Sequence, residues 1–140
     1  MEKIHTAVAH PWLCDSLGHM TTRYYVAMFD DASYHLLHRI FGWNGASNDD
    51  NSLGWVDARH VIDYQAEVSA GDLLEIRAVL DKVGNKSITG SYEMFNLNTG
   101  EVAASLQCIY VLFDLNARQA AAMSDDLRQQ AEIFLRQDGS

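Results

Sequence analysis

Asp15 stands shortly before Thr21-Thr22, the hydroxyl pair that opens the longest helical pattern in the chain. A carboxylate there can attack a carbonyl carbon or take a proton from water. The helix start offers the complementary chemistry, since its first N–H groups lack intrahelical partners and attract developing negative charge. The spacing lets both face one carbonyl. An aspartate ahead of a helix is more often a cap or turn residue, so the pair alone names no reaction.

Other reactive side chains carry less. His19, next to Gly18, either packs structurally or hydrogen-bonds a ligand. His35 and His38 can reach a metal from one helix, but no third ligand stands at a recognisable spacing, and no metal is expected. Asp30 and Asp31 fall mid-helix, where acids usually meet solvent or a subunit partner. Cys14 and Cys108 are too few and too far apart for a disulfide framework, and read as buried thiols.

The elements that must position these groups follow from the hydrophobic pattern. Tyr25, Met28, Phe29, Ala32, Leu36 and Ile40 recur at three- and four-residue steps, with Asp30, Asp31, Tyr34 and His38 opposite. This predicts a helix of about 20 residues and roughly 30 Å. Thr21 and Thr22 suit its N-cap, through a hydroxyl that accepts from a free N–H, and Gly42 its C-terminal stop. Lys3 to Trp12 reads as a strand and Asn44 to Ser52 as a long loop. Gly54 to Tyr64 is a further strand, and Leu74, Ile76, Ala78 and Leu80 alternate as in a half-buried one. A hairpin turn at residues 83–86 leads to Ser87–Asn96. Glu101 to Asp114 is apolar on both faces, predicting a central strand covered on both sides. Asp125 to Leu135, capped by Ser124, predicts a short closing helix. One long helix followed by antiparallel strands has a simple packing solution: the sheet curls around the helix and buries its apolar stripe. The class is α+β, in one domain over residues 1–140.

Composition narrows the partners. The net charge is −9 with only ten lysines and arginines, which argues against nucleic acid, whose binding needs clustered cations. An anionic ligand then needs a local basic patch. With 48% hydrophobic and 21% charged residues the chain reads as globular. No run matches a membrane span, and Met1 to Thr6 lacks the apolar stretch of a signal peptide, so a cytoplasmic protein without a membrane partner is expected.

The run from Asp15 through Gly18, His19, Met20, Thr21 and Thr22 to Tyr25 resembles the signature of the 4-hydroxybenzoyl-CoA thioesterase family. Phe29-Asp30-Asp31-Ala32 continues the match, then Tyr64, Gly71-Asp72 and the hairpin Gly84-Asn85-Lys86-Ser87, in the family's order over nearly the whole chain. Where the family commonly carries two asparagines, this chain has Thr21 and Thr22, which keep a capping hydroxyl but no amide.

The resemblance implies a hotdog fold and hydrolysis of an acyl-CoA thioester to free acid and CoA. Asp15 would be nucleophile or general base, with the backbone N–H at Thr22 as oxyanion donor and His19 beside them. The chemistry is undemanding at the leaving group, a thiol with a pKa near that of cysteine, about 8.5. It still requires an attacking group and a grip on the oxyanion. Gly18, Met20, Thr21 and Tyr25 fall to substrate binding. From the residues themselves, Lys82 and Lys86 beside the hairpin turn and Arg59 are candidate contacts for the CoA phosphates, against the commoner role of surface lysines as solvated charges. Among the aromatics Trp12, Tyr24, Tyr25, Trp43 and Trp55, core packing is the default and an acyl pocket the alternative. A second hotdog branch takes its carboxylate from the central helix, making Asp30 and Asp31 the alternative catalytic residues. No cofactor is implied, since coenzyme A arrives with the substrate. A curled sheet leaves an open edge, and the family implies a homodimer or homotetramer with a continuous sheet and interfacial sites. A hotdog hydratase or dehydratase and a non-catalytic acyl-CoA-binding module are the rival readings.

Overall fold

The computed structural model describes residues 1–45 and 52–137. Its axis is helix α1, Thr22–Phe41. The six apolar residues at helical spacing are all buried, joined by Ser33 and Leu37. Phe29 and Leu36, 1% and 0% exposed, are its largest fully buried side chains, each contributing about 1.5–3 kcal/mol by leaving water. Gly42 ends the helix at φ +69°, where its N–H donates to the His38 carbonyl at 2.7 Å.

Around this helix runs one antiparallel sheet built from β1 (Glu2–Val8), β2 (Leu53–Tyr64), β3 (Leu73–Val83), β4 (Ser87–Asn96) and β5 (Glu101–Asp114), in the order β1-β3-β4-β5-β2. A two-residue β6, Gln119–Ala120, adds to β5. Alternation sets the buried face: Leu74, Ile76, Ala78 and Leu80 of β3, Ile88, Tyr92 and Met94 of β4, and Leu106, Cys108, Tyr110 and Leu112 of β5 join the α1 stripe in one core. Such a sheet wrapped on one helix is the expected α+β hotdog architecture.

Four expectations change in detail. The first strand stops at Val8, and a 3₁₀ turn, Pro11–Leu13, follows, because Pro11 has no N–H to donate to a ladder. Thr21 has the extended N-cap backbone, yet its hydroxyl makes no capping bond and is buried without a partner. β5 is interior by pairing, but only one of its faces is covered: Ile109, Val111 and Phe113 on the other are half-exposed. The closing helix α2 is shorter than expected, Asp125–Glu132, although Ser124 caps it by accepting from the Leu127 N–H at 3.2 Å. Its last turn is lost because the chain turns to the sheet, where Leu80 N–H donates to the Phe134 carbonyl and Arg136 N–H to that of Leu80. The expected loop from Asn44 to Ser52 falls mostly outside the described residues.

Candidate active site

Asp15 is oriented by the turn it begins. Its Oδ1 accepts from the N–H groups of Leu17 at 2.8 Å and His19 at 3.2 Å. The Gly18 N–H donates to the Asp15 carbonyl at 3.0 Å, with Gly18 at φ +82°, a backbone that favours glycine. The side chain is exposed, and Oδ2 has no partner among the described residues.

The loop and the helix start are clamped together. Thr21 N–H donates to the Leu13 carbonyl at 3.1 Å, Met20 N–H to that of Val68 at 2.7 Å, and Ala70 N–H to that of Gly18 at 3.1 Å. At the helix tip the Tyr24 N–H turns back to the Thr21 carbonyl at 3.0 Å. The N–H groups of Thr22 and Arg23 are left without a partner among the described residues.

An open cavity of about 320 Å³ lies at this tip, lined by Met20, Thr22, Tyr25, Tyr64, Gln65 and Glu67 among others. Tyr25 stands edge-on to Tyr64 at 5.2 Å and donates to the Ala66 carbonyl at 3.4 Å. His19 is half-buried and turns Nε2 to Glu67 Oε2 at 3.2 Å. Bare amides and an aromatic-walled space thus meet at the helix tip, and the Asp15 carboxylate stands on the adjoining loop, outside the lining of that cavity.

The structure thus gathers Asp15, Gly18, His19, Met20, Thr21, Thr22 and Tyr25. It does not bring Arg59, Lys82 or Lys86 to them within one chain. Arg59 is registered opposite Ile109, on the sheet face away from α1. Lys82 and Lys86 flank the β3–β4 hairpin, whereas it is the turn before the opposite end of β3 that meets the Asp15 loop, through the Ala70 N–H on the Gly18 carbonyl. The aromatics also divide. Trp12 is 73% exposed and stacks on His10, against the default of core packing, while Trp43 and Trp55 line a second cavity.

A family model for the thioesterase-like superfamily matches residues 9–131. The chain belongs to that superfamily. The expectation of a hotdog thioesterase holds. Among curated relatives, the long-chain acyl-CoA thioesterase FadM of Escherichia coli K12 is 28% identical over 102 residues, covering 67% of this chain and 76% of FadM. Among solved structures, the hypothetical protein SAV2348 from Staphylococcus aureus, in complex with CoA, superposes with a TM-score of 0.85 at 14% identity, covering 97% of this chain and 87% of that one. The probable thioesterase YbaW from Escherichia coli superposes at 0.77 and 19% identity, covering 97% and 100%. At such identities the superpositions establish the fold.

Beyond the motif, the structure assembles a second polar group between α1 and the β2–β5 pair. The two mid-helix acids part there. Asp31 acts on His5 of β1, whereas Asp30 lines a cavity with Asp57 of β2. Burial first, then the charges of Asp57 and Asp31, raise the Asp30 carboxyl above its ordinary value. Asp57 Oδ2 lies 3.6 Å from His60 Nε2, and the ligand atoms of Asp57, His60 and Cys108 lie within 4.8 Å of one another. This is the one such set among the described residues. Burial pushes the Cys108 thiol up to about 12, so a metal would have to displace its proton. Behind it Ser33 Oγ and Tyr110 OH are 2.8 Å apart, and Tyr110 OH is hydrogen-bonded to Tyr92 OH. Asp57 and His60 were invisible to strand alternation, which sends residues i and i+3 to opposite faces.

Proposed function

We propose that the protein hydrolyses an acyl-CoA thioester to free acid and CoA. In this reading Asp15 is nucleophile or general base and the Thr22 N–H the oxyanion donor. The observation that carries it is the pair of unpartnered first-turn N–H groups beside a cavity and a carboxylate-bearing loop clamped to the same helix tip. Superfamily membership supports the reaction class, and the CoA bound by the similarly folded S. aureus protein supports the leaving group.

Attack by Asp15 Oδ2 on the thioester carbonyl would form a tetrahedral oxyanion against the helix amides, and its collapse would expel CoA thiolate. Water would then hydrolyse the resulting aspartyl mixed anhydride to acid and free carboxylate. As a general base, Asp15 would instead take the proton of a water that attacks directly. Either way the helix dipole and bare amides favour the anionic intermediate over the neutral substrate.

β2 is paired only with β5 and exposes Val56, Val61 and Tyr64 along an open edge. An antiparallel pairing of this edge with a second copy extends the sheet and gives the homodimer we expect, with further association to a tetramer.

The test is thiol release from a panel of acyl-CoAs by the purified protein. Release from at least one substrate is expected. Tight acyl-CoA binding without release from any of them would turn the reading into a binding module, and addition of water across an enoyl-CoA double bond into a hydratase.

A further inference from the structure

The second cavity, about 260 Å³, lies between the C-terminal half of α1 and the start of β2. Tyr34, Trp43 and Trp55 line it together with Ser33, Leu37 and Val56. Tyr34 and Trp43 lie nearly parallel, 5.8 Å apart at 11°, and Trp55 is backed by Phe41 at 4.8 Å and 19°. Two carboxylates, Asp30 and Asp57, open into the same space, and among the described residues no lysine or arginine lines it. Such acids ordinarily acquire a fixed cation, because facing carboxylates repel and desolvation adds to the cost. Here His60, on Asp57, is the one positively ionisable group among the described residues that opposes Asp30, and the Asp30 carboxyl stays raised.

Aromatic side chains joined to a carboxylate pair that has only an imidazole against it describe a receptor for a weakly hydrated organic cation. The rings attract the cation through their quadrupoles, and the acids supply net charge. A strongly hydrated ion would leave its water reluctantly for ring faces, whereas an alkylated ammonium loses little. We propose that this cavity binds an alkylammonium group, the distal end of the acyl chain of the substrate.

This rests on the thioester-hydrolase reading, and the geometry supplies the connection. From Thr22 to Asp30 along the helix is about 12 Å at 1.5 Å per residue. Within one chain that span requires a long acyl spacer. In a dimer paired through β2, the antiparallel partner sets its Trp55 end against the Tyr64 end of the first strand. Tyr64 packs on Tyr25 near the helix tip. The cation pocket of one subunit then opens towards the thioester site of the other, and a short spacer suffices.

The test compares cationic and neutral substrates of one shape. Trimethylammonioacyl-CoAs with one and three methylenes are paired with their carbon isosteres, 3,3-dimethylbutanoyl-CoA and 5,5-dimethylhexanoyl-CoA. We expect about a tenfold or greater preference in kcat/KM for the cation at one spacer length at least. In Asp30→Asn and Tyr34→Leu, both at exposed positions, the ratio should fall towards one. A second readout needs no turnover: tetramethylammonium chloride should perturb tryptophan fluorescence saturably in the wild type, and weakly in Asp30→Asn. Equal rates for both members of each pair, with no tetramethylammonium binding, would overturn the inference and leave the hydrolase intact. Zinc chloride binding in place of tetramethylammonium would overturn it in favour of a metal on Asp57, His60 and Cys108. Failure of every acyl-CoA to release thiol would remove the hydrolase reading, and this one with it.

Discussion

Asp57 and His60 lie three residues apart in β2, yet their side chains meet at 3.6 Å on the helix-facing side of the sheet. A regular strand forbids this, since its side chains alternate with period two. The register shift between Asp57 and Arg59 supplies the extra residue: Asp57 stands opposite Tyr110, and His60 opposite Cys108. Because Cys108 and Tyr110 share the buried face of β5, the bulge delivers an acid and an imidazole to that face together. Bulges re-aim side chains in this way next to functional sites.

Tyr110 links this group to the helix. Its hydroxyl meets Ser33 Oγ at 2.8 Å and also bonds Tyr92 OH, all three in the core. Tyr110→Phe should destabilise the protein by about 1–3 kcal/mol, because the surviving hydroxyls lose a buried partner. Ser33→Ala combined with Tyr110→Phe should cost less than the sum of the single changes, with a coupling of about 0.5–3 kcal/mol. Urea unfolding of the four proteins measures it, and simple additivity would mean that the two hydroxyls do not act as a unit.

Cys108 should be silent to thiol reagents in the native state. Its thiol is pushed up to about 12, first by burial, with Asp57 adding to the effect. At pH 8 almost none is thiolate, the form that reacts. Cys14 is half-buried and offers the accessible sulfur. Titration with a disulfide reagent should therefore count one thiol in folded protein and two in denaturant. Two in the folded state would contradict this burial.

Much of this architecture was readable from residue order. Helix α1 announced itself through Tyr25 to Ile40, since a buried stripe on an isolated helix has a strict period. Asp15, Thr22 and Tyr25 were legible as one unit because a single loop and helix start carry them. Arg59, Lys82 and Lys86 were not placeable, because their position depends on which end and face of the sheet they occupy. The Asp30–Asp57 pocket was hidden for the same reason, compounded by the β2 bulge. Asp30 and Asp31 read as a pair, but one residue step on a helix is about 100°, enough to send one towards β2 and the other towards β1.

Asp30 should make stability rise as the pH falls. Its folded carboxyl is raised, first by burial and then by the Asp57 and Asp31 charges. The native state therefore holds this proton more tightly than the unfolded chain. Ionisation costs stability once the pH climbs past the ordinary carboxylate range, and that cost disappears in acid. Asp30→Asn should raise the melting temperature modestly near pH 7.5 and lose this advantage near pH 4. A variant less stable than wild type at pH 7.5 would show that the acid is compensated by a partner.

Asp15 carries the sharpest expectation. Its carboxylate is already oriented by the N–H groups of Leu17 and His19 on Oδ1, and Asp15→Asn keeps an amide oxygen able to accept both. The turn, and with it the cavity beside Thr22 and Tyr25, should persist, so KM should move little. What disappears is the ability of Oδ2 to attack or to take a proton, a loss of about 10²–10⁴ in kcat for a general base. Steady-state thiol release with the best acyl-CoA, together with a melting curve to show that the variant is folded, decides it. If kcat is unchanged in a folded Asp15→Asn protein, the reacting carboxylate lies elsewhere, and Asp30, eight residues along the same helix from Thr22, is next to be replaced.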